Sequence, residues 1–182
     1  MAFARSHNLD ALYEKCLQND RKAQHELYKR YYGLMMTISM RYVGNRDDAM
    51  EIVNSGFFKI FTKIGDFGQK GSFEGWMKRT MVNTALDFLK LQKEREADID
   101  ETNEYEHEIY VQNDIYRQIE EEEIMRIMAS VPKMSRTVFN LYVMEGFKHK
   151  DISEMLEISE GTSHWHLQNA RKILKENLDK MM

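Results

Sequence analysis

Apolar residues recur at helical spacing in successive blocks from Leu9 onward, and the strand signal is weak throughout. From Leu9 to about Tyr42 the pattern predicts two helices broken at Asn19 and Asp20. The second carries Leu27, Tyr31, Leu34, Ile38 and Tyr42 on one face. Gly44 and Asn45 end it, and Asp47 or Asp48 is placed to cap the next helix, whose stripe is Ile52, Val53, Phe57, Ile60, Phe61 and Ile64. The run from Gly65 to Gly71 is too rich in glycine for a helix. Ser72 restarts one, with Phe73, Trp76, Met77, Thr80, Met81, Ala85, Phe88 and Leu89 inward. These helices close a first unit, residues 1–94.

Beyond it the pattern fails. From Ala97 to Glu123, around an expected linker of residues 95–122, apolar positions are sparse and lose their period, while Asp98, Asp100, Glu101, Glu104, Glu106, Glu108, Asp114 and the run from Glu120 to Glu123 are opposed by Arg117 and His107 alone. Such a segment buries too little surface to offset its ordering entropy, so it reads as an acidic linker. Periodicity returns in residues 123–182. Ile124, Ile127 and Met128 face inward, Pro132 ends their helix, Val138, Leu141 and Tyr142 carry the next, and Gly146 closes it where a left-handed residue is wanted. Two short stripes follow across a turn: Ile152, Met155 and Leu156, with Ile158 in the turn, then Leu167, Ala170 and Leu174. That arrangement is a helix-turn-helix, and Ser159 is the natural cap of its second helix. The outward positions of that helix are Thr162, His164, Trp165, His166, Gln168, Asn169, Arg171 and Lys172, a face suited to the major groove of duplex DNA. The expected fold is therefore all-α: two small helical domains joined by an acidic linker.

Composition changes this picture in three places. One proline and nine glycines in 182 residues agree with a helical chain. A net charge of −4 argues against DNA binding only until its location is considered, because the excess of acid lies in the linker and leaves the flanking units near neutral or basic. A single cysteine, Cys16, allows no intramolecular disulfide, and every apolar run is broken by charge before it reaches bilayer length, so a cytoplasmic protein is expected. His149, His164 and His166 suggest a metal site, yet positions two apart on a helix point in different directions and no Cys or carboxylate pair converges with them. No phosphate-cradling loop, nucleophile elbow or catalytic carboxylate pair stands out, so neither a metal, a cofactor nor an enzymatic reaction is expected.

Two blocks, RDDAMEIVNSGFFKIFTKIGDF with GSFEGWMKRTMVNTALDFLK, and VPKMSRTVFNLYVMEGFKHKDISEMLEISEGTSHWHLQNARKIL, together resemble the extracytoplasmic-function sigma factors, small sigma-70-type initiation factors of bacterial RNA polymerase. The resemblance implies a region 2-like first unit and a region 4-like second unit. It implies that the helix from Asp47 to Lys63 docks on core polymerase through Asp48, Glu51, Ile52, Asn54 and Ser55, although Ile52, Val53 and Phe57 equally fit simple core packing. It implies that the separated non-template strand of the −10 element meets Phe67, Lys70, Lys78, Arg79 and Asn83, with Asn83 on a flipped base edge. It also implies that the −35 duplex meets Ser159, Gly161, Thr162, His164, Trp165, His166, Gln168, Asn169, Arg171 and Lys172. The family commonly has Arg or Lys where this chain has His166 and Asn169, a smaller residue at Trp165, and Gly at Glu157; Trp165 is open to a base contact or to packing on the preceding helix. Core RNA polymerase and promoter DNA are the implied partners, with an anti-sigma factor a possible third. The rival reading is a stand-alone two-domain helix-turn-helix regulator whose first unit senses a ligand or dimerises.

Overall fold

The structure, a computed structural model, describes residues 2–69, 71–98, 127–128 and 130–180, and among these there are helices and turns but no strand. The chain forms two compact units that divide between Glu108 and Ile109. The acidic run, Ile124, Tyr116, Arg117 and Lys70 lie outside the described residues.

The first unit contains α1 (Ala2–Leu17), α2 (Arg21–Val43), α3 (Arg46–Thr62), a 3-10 turn (Ile64–Phe67) and α4 (Phe73–Asp98). Its boundaries follow from local chemistry. Asn19 takes a left-handed φ of 61° between α1 and α2. Asp20 caps α2 with its carboxylate accepting from the amides of Lys22 at 2.8 Å and Ala23 at 3.1 Å, and those hydrogen bonds hold its pKa below the usual carboxylate value. Gly44 ends α2 at φ 79°, a conformation glycine adopts without a Cβ clash. The cap of α3 is Asn45, not Asp47 or Asp48: its Oδ1 accepts from the Asp48 amide at 2.9 Å while its Nδ2 donates to the Asp48 carboxylate at 2.8 Å. Ser72 accepts from the Gly75 amide at 3.0 Å and starts α4, which runs on to Asp98, past residue 94.

The core of this unit is built from Leu27, Tyr31, Met35, Ile38 and Tyr42 of α2, Ile52, Val53, Phe57 and Ile60 of α3, and Phe73, Met77, Met81, Val82 and Ala85 of α4, all buried. Leu34 was expected inward, but Met35 takes that place and Leu34 is 37% exposed, because a 3.6-residue period carries the stripe past one of two adjacent apolar positions. Gly56 lets α3 lie close to α4: a Cβ there would stand 2.5 Å from the Met81 thioether.

The second unit contains α5 (Lys133–Phe139), which widens into a π turn over Asn140–Met144, then α6 (His149–Leu156) and α7 (Glu160–Asp179). Pro132 stands at the N-cap of α5, where its missing amide proton costs nothing. Gly146 is left-handed at φ 76° as expected. The Asp151 carboxylate accepts from the Lys148 amide at 3.3 Å at the start of α6. Glu157 joins α6 to α7 at φ 56°, ψ 42°, a left-handed conformation that strains a residue with a Cβ. Among the described residues here, Val131, Val138, Leu141, Ile152, Leu167 and Ala170 are the buried apolar ones, and Ser135, Thr137, Asn140, His149 and Ser163 are buried with them. Tyr142, expected inward, is 37% exposed, since the π turn shifts the register of the helix at that point.

Candidate nucleic-acid and polymerase interfaces

In the second unit α7 begins at Ser159, whose Oγ accepts from the Thr162 amide at 3.0 Å and lies 2.8 Å from the Thr162 hydroxyl. That bond engages one of the free amides of the first turn. Gly161 faces open space, its nearest neighbour being the Ser159 Oγ at 3.7 Å from an added Cβ, which leaves room for a phosphate to approach the helix terminus. Along α7, His164, Trp165, Gln168, Arg171 and Lys172 are exposed. Trp165 is 61% exposed and touches the ring of His166 edge-on, so it does not pack on the preceding helix. Lys172 reaches Glu176 only at 4.0 Å, a contact too loose to hold it.

His166 and Asn169 depart from the expected outward face. The His166 Nδ1 lies 2.9 Å from the Ser135 hydroxyl, and the Asn169 amide donates to the same oxygen at 3.2 Å. Both side chains are half-buried against α5, and burial pushes the His166 pKa down. Ser135 is 1% exposed, so a buried hydroxyl that must be satisfied draws two polar residues inward. The sequence carried no sign of this, because a buried serine with partners on another helix has no period. His164 instead meets His149, as described below, and the three histidines do not converge; among the described residues no group of three or more metal-binding side chains exists.

In the first unit Arg79, Asn83 and Asp87 succeed one another at i, i+4 and i+8 on the exposed side of α4. The Asp87 carboxylate is paired with Lys59 of α3 at 2.7 Å, which neutralises the one acidic member of the strip. Lys78 pairs with Glu74 at 2.7 Å, and that bond is the first cause of a Glu74 pKa below the usual value; the Tyr31 hydroxyl donates to the same carboxylate at 3.3 Å. Phe67 is not a stacking platform. It is buried, with its ring 5.5 Å from Tyr13, 5.5 Å from Phe73 and 6.0 Å from Trp76. An apolar ring in a glycine-rich turn reads as exposed from sequence, yet the 3-10 turn folds it back into this aromatic cluster.

On α3, Glu51, Asn54 and Ser55 are exposed, and Asn54 accepts from the Tyr28 hydroxyl at 3.2 Å. Ile52 is fully buried and belongs to the core, and Asp48 is half-buried in the cap with Asn45. The residue that sequence reasoning passed over is Phe58, 70% exposed, with Met50 and Asn54 at i−8 and i−4 on the same side. Its signal was present: of the adjacent Phe57 and Phe58 only one can lie in phase with Val53, Gly56 and Ile60.

Two family profiles match the chain in order, sigma-70 region 2 over residues 27–95 and sigma-70 region 4 over residues 121–174. The ECF RNA polymerase sigma-E factor of Haemophilus influenzae is 26% identical over 94% of this chain and 96% of its own length. The RNA polymerase sigma-H factor of Pseudomonas aeruginosa is 23% identical, covering 94% of each. Among solved structures, the sigma factor RpoE of Bartonella quintana, in complex with the anti-sigma factor NepR, has a TM-score of 0.61 at 15% identity, covering 85% of this chain and 96% of that one. At that identity the likeness concerns the fold. A stand-alone regulator accounts for the second unit only, whereas both units match sigma regions in their usual order. The chain belongs to the sigma-70 family, as an extracytoplasmic-function sigma factor.

Proposed function

We propose that this chain directs bacterial core RNA polymerase to its promoters, with three helix faces dividing the work. The face of α3 that carries Glu51, Asn54, Ser55 and the exposed Phe58 docks on core enzyme, where an aromatic anchor among polar neighbours suits a protein interface. The strip of Arg79 and Asn83 on α4, with Lys78 beside it and Lys70 ahead of them in sequence, takes the separated non-template strand of the −10 element. There the Asn83 amide offers a donor and an acceptor to an unstacked base. The face of α7 bearing His164, Trp165, Gln168, Arg171 and Lys172 reads the −35 duplex, while Ser159, Gly161 and Thr162 meet backbone phosphate. His166 and Asn169 support α7 from behind through Ser135. The protein works in the cytoplasm, and because the similar RpoE forms a complex with an anti-sigma factor, such a partner is proposed here too.

The observation that carries this reading is that one chain holds a region 2 unit and a region 4 unit in order, each with an exposed polar helix face set apart from its core. Asn83→Ala tests the least redundant assignment. Core binding by co-elution is expected unchanged, while permanganate reactivity of thymines in the melted region falls about tenfold, as for a lost base contact. Unchanged reactivity removes Asn83 from the base pocket.

A further inference from the structure

Unit 2 contains a column of rings that links its core to the exposed face of α7. Tyr142 in the π turn stacks on His149 at the start of α6, with centroids 4.5 Å apart and planes 27° from parallel. His149 stacks in turn on His164 of α7 at 3.6 Å and 29°. The Arg171 guanidinium lies 6.0 Å from the centre of the Tyr142 ring. Of these four, His149 is buried, and its Nδ1 is fixed by the buried Ser163 hydroxyl at 2.9 Å. His164 and Arg171 are exposed and stand about two helical turns apart on one side of α7.

An exposed imidazole ordinarily samples several rotamers, and a reading residue must give up that freedom when it meets DNA. Stacking on a ring that is itself held at both face and edge removes the freedom beforehand. We propose that His149 is a positioning residue for promoter recognition: through the Tyr142, His149 and His164 column it fixes the His164 imidazole edge for one base pair of the upstream element, so that selectivity at that pair depends on a residue that touches no DNA. This rests on the assignment of α7 as the duplex reader.

The chemistry favours a purine at that position. A neutral imidazole donates from one ring nitrogen, and the purine edge in the major groove presents N7, with O6 beside it in guanine. The titratable and polar groups facing His149 are Tyr142 from the π turn and Glu160, Ser163, His164 and Arg171 from α7. Burial first, then the charge of His164 and of Arg171, lowers the His149 pKa against the opposing pull of Glu160. His149 is therefore neutral at neutral pH and stacks beneath His164 without repulsion. Acid that protonates it places a cation under His164 and dismantles the column.

The test uses the full chain assembled with core polymerase. Upstream elements are selected from a randomised duplex pool by the wild-type holoenzyme, and affinities are then measured for every single-pair variant of the selected site with wild type, His164→Ala, His149→Ala, His149→Phe and the His149→Ala/His164→Ala double variant. Wild type is expected to lose about tenfold in affinity when the pair under His164 is changed. His164→Ala and His149→Ala should reduce that preference to about twofold or less while preferences at the other pairs persist. His149→Phe, which keeps a stacking ring, should restore most of the preference, and the double variant should be no worse than His164→Ala alone. In wild type the same preference should fade on acidification below neutral pH before affinity for unselected duplex changes. Full preference in His149→Ala overturns the proposal, as does an unchanged profile in His164→Ala. An even loss at every pair that His149→Phe does not relieve overturns it too, since that is what a loosened helix-turn-helix gives. A wild-type holoenzyme that selects no upstream sequence overturns the assignment of α7 itself, and the column's role with it.

Discussion

The two units solve the same problem, a helix that must both pack and present, in different ways. In the first, α4 buries Phe73, Met77, Met81, Val82 and Ala85 and leaves Arg79 and Asn83 outward, so packing and presentation are given to separate residues. In the second, α7 buries only Leu167, Ala170 and Ser163 fully and draws His166 and Asn169 against Ser135, so polar residues serve the interior. Size explains the contrast. Among the described residues the first unit sets Ser39, Asn45 and Thr84 against a broad apolar interior, whereas the second has few buried apolar residues around Val138, Leu141 and Ile152 and completes its interior with Ser135, Thr137, Asn140, His149 and Ser163. The lesson is that mutations on the first unit's faces should separate binding from stability, and mutations of His166, Asn169 and their partner Ser135 in the second should not.

The largest effect is expected at Phe58. Phe58→Glu puts a charge in the centre of the docking face and should weaken core polymerase binding by about thirtyfold or more, the loss of one ~2 kcal/mol anchor. The melting temperature should stay within a degree or two of wild type, because the ring is exposed. Fluorescence anisotropy against core enzyme and a calorimetric scan check both halves, and a strong drop in stability would erase the contrast between the units. Next in size, Ser135→Ala removes the shared partner of His166 and Asn169 and should destabilise the second unit by about 1–3 kcal/mol. Each unit has one tryptophan, Trp76 in the first and Trp165 in the second. Denaturant titration of a Trp76→Phe background therefore reports the second unit alone, and an unchanged midpoint would return His166 and Asn169 to the DNA face.

Acid should distinguish the units less strongly. His149 and His166 both have pKa values lowered by burial, so the folded second unit binds protons less tightly than the unfolded chain does. Their contribution is present above the ordinary histidine value of about 6.5 and is lost as pH falls below it. In the first unit His25 is exposed. Single-tryptophan variants followed from pH 7 to pH 5 should show the second unit weakening first, and equal weakening would count against the buried histidines. The smallest effect is expected at the strained turn. Glu157→Gly relieves a left-handed Cβ at φ 56° and should stabilise the second unit by up to about 1 kcal/mol.

How much of this was legible in the sequence differs by unit for the same reason. The helices of the first unit, the break at Asn19 and Asp20, and the exposed Asn83 follow from periodicity and cap chemistry, which act within a few residues. Errors arose where adjacent apolar residues competed for one place, Leu34 against Met35, or where a turn redirected a ring, as at Phe67. In the second unit the helix-turn-helix and the Ser159 cap were legible, but Ser135, His149 and Ser163 were not, because their partners lie on other helices and polar interiors leave no apolar period.

The central claim is that both units act as parts of one initiation factor, and run-off transcription tests it most directly. Core polymerase should yield a discrete transcript from a selected promoter only when this chain is added, and the transcript should vanish when the −10 or the −35 element is replaced. Core enzyme that gives no promoter-dependent transcript with this chain, while the chain alone binds the −35 duplex, would contradict it.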